Sequence, residues 1–108
     1  METWIDTKTN LEWAYDLGLD LGWEASVAEC PDGYRIATVK ELMPLLDHTK
    51  FNPSVIDDCP FGWNNTWASD DYADFKNPLT YWSVNLITGQ VQPKDKGHKL
   101  DTVYVREV

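Results

Sequence analysis

The sequence predicts an α+β domain that combines two short helices with antiparallel strands and a long loop region. Residues Thr38 to Glu41 form a capping box, in which the Thr hydroxyl and the Glu carboxylate satisfy backbone amides at a helix start. The aromatic and β-branched run at 81–87 favours a strand. Residues 51–66 are rich in Pro, Asn, Asp and Gly and lack a sustained period, which indicates a long surface loop.

The N-terminal third is predicted to form a hairpin-like pair and the first helix. Four apolar residues flank the polar stretch at 6–10, and this spacing is typical of a hairpin: Trp4, Ile5, Leu11 and Trp13. The first helix is predicted after Gly22 and ends at the turn residues 31–33. Its buried face is expected to carry Trp23, Val27 and Cys30, which fall near one side of a helix.

The second helix is predicted to begin at the capping box and to end near Asp47. It is short or kinked, because Pro44 lacks an amide hydrogen and crowds the preceding turn. Four apolar residues form its buried stripe: Val39, Leu42, Leu45 and Leu46. Four large residues are predicted to pin the following loop to the core: Phe51, Ile56, Phe61 and Trp63.

The last third is predicted to be β-rich. Strands are expected around Trp67, at 81–87, near Val91 and at 103–106, with a turn at 88–89. One basic cluster occurs in a Pro- and Gly-containing stretch and is interpreted as a solvated hairpin tip: Lys94, Lys96, His98 and Lys99.

Length and charge bound the class of protein. A chain of 108 residues with 43% hydrophobic residues is predicted to form a single domain spanning 1–108. Eighteen acidic and nine basic residues give a formal net charge of −9, which repels nucleic acid and favours a protein partner with a basic surface. We expect a cytoplasmic location in the producing or host cell, because the residues after Met1 lack a signal-peptide pattern and no apolar run is long enough to span a membrane.

Six short segments carry a family resemblance: Asn10-Leu11-Glu12-Trp13, Trp23-Glu24-Ala25, residues 33–42, Trp67-Ala68-Ser69, Tyr81-Trp82-Ser83-Val84 and Tyr104-Val105-Arg106. In this order they resemble the Thr-Gly-Leu-Met-Trp, Trp-Glu-Glu-Ala, Gly-Trp-Arg-Leu-Pro-Thr and Trp-Ser-Ser motifs, the later aromatic strand and the Tyr-Val-Arg ending of one family. That family is named for the C-terminal domain of the Legionella collagen-like protein. The sequence departs from it at Ala37, where Pro is usual, and at Pro44.

The resemblance implies a C-type-lectin-like fold, with two short helices beside a small twisted antiparallel sheet, paired chain ends and a long loop region. Family members are similar to adhesins and phage-associated recognition domains, and some are implied to bind glycosaminoglycans. The charge of −9 argues against such a polyanionic ligand for this chain. Formylglycine-generating enzymes resemble larger relatives on the same fold, but Cys30 and Cys59 lie outside segments similar to their active site.

The loop region carries five carboxylates with no Lys or Arg between positions 57 and 74: Asp57, Asp58, Asp70, Asp71 and Asp74. In one interpretation they form a solvated face that contacts a basic protein, with Trp63 and Tyr72 as aromatic anchors. In the other they bind calcium together with Asn64 or Asn65. The motifs of calcium-dependent lectins are absent from the sequence, so no metal or other cofactor is predicted.

The remaining reactive side chains do not form a catalytic pattern. Cys30 and Cys59 are interpreted as two buried thiols, with a disulfide between them as the alternative. His48 and His98 lack a metal-ligand spacing, and His48 is placed at a helix end, where a cation is favourable. No nucleophile, base and oxyanion donor can be assembled, so the chain is predicted not to be an enzyme and no catalytic residue is assigned.

The leading functional hypothesis is a non-enzymatic acidic binding protein that docks on a basic protein partner. Its carboxylates would imitate nucleic-acid phosphates and block a nucleic-acid-binding site, as an anti-CRISPR inhibitor from a phage or mobile element would do. Residues 1–34 support this hypothesis, because they contain eight acids and one base, Lys8. The alternative is a carbohydrate or receptor recognition module of a phage tail fibre or adhesin.

Overall fold

Strands dominate the fold and form three antiparallel sheets. The structure is a computed structural model that describes residues 1–16, 20–71 and 80–108. Within these ranges the elements are, in order, β1 (Glu2–Asp6), β2 (Leu11–Tyr15), β3 (Asp20–Leu21), α1 (Trp23–Ala28), β4 (Arg35–Ile36), α2 (Val39–Leu42), a 3₁₀ helix (Met43–Leu45), β5 (Asn65–Asp71), β6 (Thr80–Asn85), β7 (Gln90–Asp95), β8 (Leu100–Asp101) and β9 (Tyr104–Glu107). The strand orders of the sheets are β1-β2-β9-β4, β3-β8 and β5-β6-β7.

The predicted C-type-lectin-like α+β arrangement of two short helices with one small twisted sheet is wrong. Strands make up 42% and helices 14% of the structure, and α1 is the one α-helix longer than a single turn in the described ranges. Pro44 explains why the second predicted helix is so short. Because this residue lacks an amide hydrogen and crowds the preceding turn, α2 ends at Leu42 and continues only as the 3₁₀ helix. The predicted loop region is also shortened, because β5 begins at Asn65.

The capping box at Thr38 is confirmed and fixes the start of α2. The Thr38 hydroxyl accepts a hydrogen bond from the Glu41 amide at 3.2 Å, and the Glu41 carboxylate accepts one from the Thr38 amide at 3.0 Å. Arg35 donates two further hydrogen bonds to Glu41, at 2.5 and 2.6 Å. The Arg35 guanidinium therefore holds the pKa of Glu41 below its usual value and joins β4 to α2.

The predicted N-terminal hairpin is also confirmed, as β1 pairs with β2. Asp6 closes its turn, because the carboxylate accepts hydrogen bonds from the Lys8 amide and the Thr9 hydroxyl, each at 3.0 Å. Asn10 has a φ of 58°, a left-handed conformation that Asn tolerates better than most residues. On its other side β2 pairs with β9, so residues from both ends of the sequence share one sheet.

The main core cluster contains residues of β2, α2, β6 and β9. Phe61 lies in this cluster and is fully buried. Its ring centroid is 5.2 Å from that of Tyr15, 5.5 Å from that of Trp13 and 5.9 Å from that of Trp4. These aromatic contacts attach the segment before β5 to the N-terminal hairpin.

A second core cluster lies beside α1 and contains Trp67 and Tyr104. The Tyr104 hydroxyl donates to the Ser26 carbonyl at 2.6 Å, and the hydroxyls of Ser26 and Thr102 are 2.9 Å apart. The predicted buried face of α1 is therefore wrong at one position, because Ser26 is fully buried and Val27 is 51% exposed. In a helix of six residues, tertiary hydrogen bonds outweigh an apolar stripe.

The prediction of a β-rich last third is confirmed by β5 to β9. Gly89 has a φ of 78° in the turn between β6 and β7, where a residue with a side chain would be strained. A second turn follows β7, in which the carboxylate of Asp95 accepts a hydrogen bond from the Gly97 amide at 2.9 Å. None of the helices in the described part of the chain combines the length and apolar character needed to cross a membrane.

Candidate functional site

The segment between the 3₁₀ helix and β5, residues 46–64, carries two strongly exposed aromatic side chains. Phe51 is 87% exposed and Trp63 is 56% exposed. The prediction that these two residues pin the loop is therefore wrong. The same prediction is confirmed for Phe61, which is fully buried, and for Ile56, which packs against the main core cluster. Val55, which was not predicted, is 4% exposed and also attaches the loop to the core. We call the surface formed by residues 50–63 the loop surface.

Backbone hydrogen bonds hold the loop surface in place. The Ser54 amide donates to the Leu86 carbonyl at 2.9 Å, and the Ile56 amide donates to the Leu45 carbonyl at 2.9 Å. The buried Ser54 hydroxyl donates to the Lys50 carbonyl, also at 2.9 Å. The loop is thus fixed both to the end of β6 and to the 3₁₀ helix. A surface held in this way loses little conformational entropy when it binds a partner.

Close packing at Gly62 brings the two aromatic segments together. A Cβ atom at Gly62 would lie 2.7 Å from Pro53 Cγ and 2.7 Å from Val55 Cγ2. Phe51 lies two residues before Pro53, and Trp63 directly follows Gly62. The exposed rings therefore project from two chain segments that are in direct contact. This contact is possible because Gly62 has no side chain.

A cleft of about 410 Å³ opens beside Phe51. Its lining consists of Lys50, Phe51, Pro53, Val55, Ile56, Asp57 and Cys59. Asp57 and Lys50 form an exposed ion pair at its edge, a type of contact that adds little to stability. The exposed Asp58 accepts no hydrogen bond and forms no ion pair with another residue in the described ranges. The site is therefore a cleft of mixed polar and apolar lining with the Asp57 carboxylate at its edge.

Cys59 contributes a neutral thiol to the cleft wall. Burial raises the pKa of Cys59 to about 11, and the nearby Asp6 carboxylate acts in the same direction. Cys30 and Cys59 are both free thiols, in agreement with the favoured interpretation over the disulfide. A thiol held protonated at neutral pH is a poor nucleophile and packs as a small apolar group.

Replacement of Cys59 by Ser is expected to weaken the alkaline destabilisation of the protein. The pKa of the thiol is higher in the folded chain than in the unfolded chain, so the folded state retains its proton while the unfolded state loses it above about pH 9. The free energy of unfolding should therefore fall by about 1 kcal/mol between pH 8 and pH 10 through this group alone. Urea unfolding at both pH values, with Cys59→Ser as the comparison, measures this effect. An identical pH dependence in the variant would contradict the assignment.

The structure places three of the seven predicted partner-binding residues on the loop surface: Asp57, Asp58 and Trp63. Asp70 lies in β5 instead, and its carboxylate accepts a hydrogen bond from the Val39 amide at the start of α2, at 2.8 Å. Only the backbone of Asp71 is described, and it pairs with Tyr81 in the β5-β6 ladder. Tyr72 and Asp74 lie outside the described residues. Phe51 was not among the predicted partner-binding residues, although its position beside the turn sequence Asn-Pro was a signal that it would face outward.

The calcium interpretation gains no support from the described residues. Among them, no group of three or more His, Cys, Asp or Glu side chains is placed to hold a metal ion. Asn64 is fully buried, and its side-chain amide donates to the Asp101 carbonyl at 3.1 Å. Asn64 therefore connects the loop to β8 and does not face the carboxylates at the cleft margin.

Part of the negative charge in the N-terminal third is paired within the chain. Glu2 accepts a hydrogen bond from Tyr15 at 3.1 Å, and Glu12 accepts bonds from Tyr34 and Arg106 at 2.8 and 3.0 Å. Five other acidic residues are exposed, and their carboxylates accept no hydrogen bond from another described residue: Asp16, Asp20, Glu24, Glu29 and Asp32. A negative field therefore remains at the surface.

Comparison of the chain with protein-family models, with curated proteins and with solved structures gives no significant match.

Proposed function

We propose that this protein is a non-enzymatic acidic binding protein that docks on a basic, nucleic-acid-binding protein through its loop surface. The observation that carries the proposal is the pair of exposed aromatic side chains on the loop surface, Phe51 and Trp63, of which Phe51 lines a cleft together with Asp57. The exposed Asp58 follows Asp57 on the same surface. In the cytoplasm of a host cell, the chain would block the nucleic-acid-binding site of this partner, as an anti-CRISPR inhibitor does.

The two exposed rings match what protein interfaces require of their central residues. Trp and other aromatic side chains provide large contact areas with few rotatable bonds, and the most important interface residues are enriched in them. Trp63 also offers its indole N–H, which donates to no other residue in the described ranges. A rigid loop that presents such side chains supports binding more than it supports catalysis.

The charge of the chain supports a basic partner. The formal net charge is −9, and exposed carboxylates of the N-terminal third add to those of the loop surface. A negative potential speeds association with a positive surface and repels nucleic acid that competes for the same partner. Mimicry of phosphate spacing would then account for the large acidic excess.

The decisive experiment measures how the loop surface competes with nucleic acid. A nucleic-acid-binding protein captured by the chain from a host lysate is purified, and its binding to the chain is measured in the presence of a short DNA duplex. The chain is expected to displace the duplex, and the double variant Phe51→Ala/Trp63→Ala should bind at least about 30-fold more weakly. Asp57→Asn/Asp58→Asn should slow association by roughly tenfold at low salt and have a smaller effect at high salt.

Val27→Ala is the matched control, because Val27 is 51% exposed on α1, away from the loop surface. This variant should bind as the unmodified chain does. Equal affinity of the double aromatic variant and the unmodified chain would contradict the proposal. So would a partner that binds the chain and the DNA duplex at the same time without competition.

A second candidate function, carbohydrate recognition, rests on a different cleft of about 530 Å³ beside α1. Its lining combines Trp23 with charged side chains that include Glu24, Asp95 and Lys96. The Trp23 ring stacks on Tyr81 with centroids 3.8 Å apart, and the Lys96 ammonium lies 5.2 Å from the Tyr81 ring centroid. Glycan binding that survives Phe51→Ala/Trp63→Ala would favour this candidate.

A further inference from the structure

β1 is an edge strand with an unprotected outer side. In the described part of the chain β2 is the one strand that pairs with it. Because an antiparallel ladder engages every second residue of an edge strand, the alternate amides and carbonyls of β1 point away from the sheet. These groups form a template on which another strand can pair.

The contrast with β7, the edge strand of the three-stranded sheet, shows how exposed β1 is. β7 contains Pro93, which has no amide hydrogen, and Lys94, whose charge discourages pairing. β1 contains neither Pro nor Lys, and it runs for five residues without a bulge in its register with β2. β1 therefore lacks the protective features that β7 carries.

The side chains of β1 indicate which strand fits this edge. Successive residues point to opposite faces, so Glu2 lies on one face and the exposed Ile5, at 49%, lies on the other. Glu2 is exposed at one end of the strand, whereas Asp6 at the other end is buried and its carboxylate is bonded within the turn. A segment with a basic residue opposite Glu2 and an apolar residue opposite Ile5 matches both faces.

We infer that β1 accepts an extended basic segment of the partner, which adds as a fifth strand to the four-stranded sheet. This inference rests on the proposed function, because it assigns the segment to the same basic partner. β1 and the loop surface are connected, since Trp4 of β1 packs against Phe61 with ring centroids 5.9 Å apart. Main-chain hydrogen bonds give affinity in such strand addition, and the alternating side chains give specificity.

A second copy of the chain fits this edge less well than a basic segment does. Each copy carries a formal net charge of −9, so two copies repel one another. Antiparallel pairing of the whole of β1 with itself would also place Glu2 opposite Asp6 of the second copy at both ends of the ladder.

The test uses the peptide acetyl-Lys-Val-Thr-Val-Lys-amide, which places a Lys opposite Glu2 in either strand direction. Amide hydrogen exchange followed by NMR should show protection of the outward amides of β1 when the peptide is added, and no change in β7. The same peptide with N-methylated Val residues should give no protection, because two of its donors are removed. Protection of β7 in place of β1 would overturn the inference.

Reversing the charge of the peptide, or of Glu2 in the chain, provides the matched control. The peptide with Glu in place of both Lys residues should bind the unmodified chain roughly tenfold more weakly. Glu2→Lys should reduce this preference or reverse it. Equal binding of the two peptides by the unmodified chain, or β1 protection that rises with protein concentration in the absence of peptide, would overturn the inference.

The variant Phe51→Ala/Trp63→Ala separates this inference from the proposed function. It leaves β1 unchanged and should bind the Lys peptide as the unmodified chain does. If the Lys peptide fails to protect the outward β1 amides of the unmodified chain, this result counts against the strand-addition inference alone. Loss of competition with DNA counts against the proposed function.

Discussion

Replacement of Phe61 by Ala is expected to lower the free energy of unfolding by about 4 kcal/mol. Phe61 is fully buried, and three aromatic rings surround it with centroids 5.2 to 5.9 Å away. Truncation removes the transfer free energy of the ring and leaves a cavity between the hairpin and the loop that the rigid neighbours cannot fill. Because small domains are stable by only about 5–15 kcal/mol, this loss is a large share of the total.

Urea unfolding followed by circular dichroism measures the change. Phe61→Leu provides a milder variant, which should lose less free energy because Leu fills part of the space. Phe51→Ala is the matched control, since Phe51 is 87% exposed and its truncation should change the free energy of unfolding by about 0.5 kcal/mol or less. Equal effects of Phe61→Ala and Phe51→Ala would show that Phe61 does not hold the loop to the core.

Gly62→Val is expected to cost about 3 kcal/mol of folding free energy, which is the upper end for overpacking. The added side chain would begin 2.7 Å from both Pro53 and Val55, and a proline ring has little freedom to move aside. Relief of this clash must separate the segment that carries Phe51 from the segment that carries Trp63. The variant should therefore also weaken binding through the loop surface.

Thermal unfolding and the DNA competition assay together measure both effects of Gly62→Val. Gly97→Val is the matched control, because a Cβ atom at Gly97 meets only the Asp95 carboxylate, at 3.4 Å. The control should unfold and bind as the unmodified chain does. A Gly62→Val protein with unchanged stability would contradict the close packing that joins the two aromatic segments.

Local signals in the sequence predicted the elements that depend on neighbouring residues. The capping box predicted the start of α2, and Pro44 predicted a short helix, although α2 ends at Leu42 and not near Asp47. The alternation around residues 6–10 predicted the N-terminal hairpin. Each of these signals depends on side-chain to backbone contacts over a few residues, and such contacts form in the same way in most tertiary settings.

The pairing of the two chain ends was implied by the family resemblance and is confirmed by β2 and β9, but the rest of the sheet arrangement was not predicted. β9 also pairs with β4, and the short strands β3 and β8 pair with one another. A strand of two residues has no period that can be recognised, so its existence depends on its partner. The analogy with a fold of two helices and one sheet failed because the resemblance rested on short motifs and not on strand pairing.

The candidate site was predicted in part. Trp63, Asp57 and Asp58 were expected at the surface and lie there, but Trp63 was also expected to pin the loop. Phe51 was expected to pin the loop to the core, and its exposure of 87% shows the opposite. Asp70 was assigned to the partner surface, although its carboxylate caps α2.

The sequence by itself determined the charge, the starts of the two helices and the first hairpin, because these depend on composition and on residues close together in the chain. Only the tertiary structure decided which aromatic side chains are buried and which are presented. Phe61 is buried because three rings from the hairpin surround it, whereas Phe51 is exposed because Ser54 and Val55 already satisfy the hydrogen bonds and the packing of its loop. Burial depends on long-range contacts, and no short pattern of residues specifies those contacts.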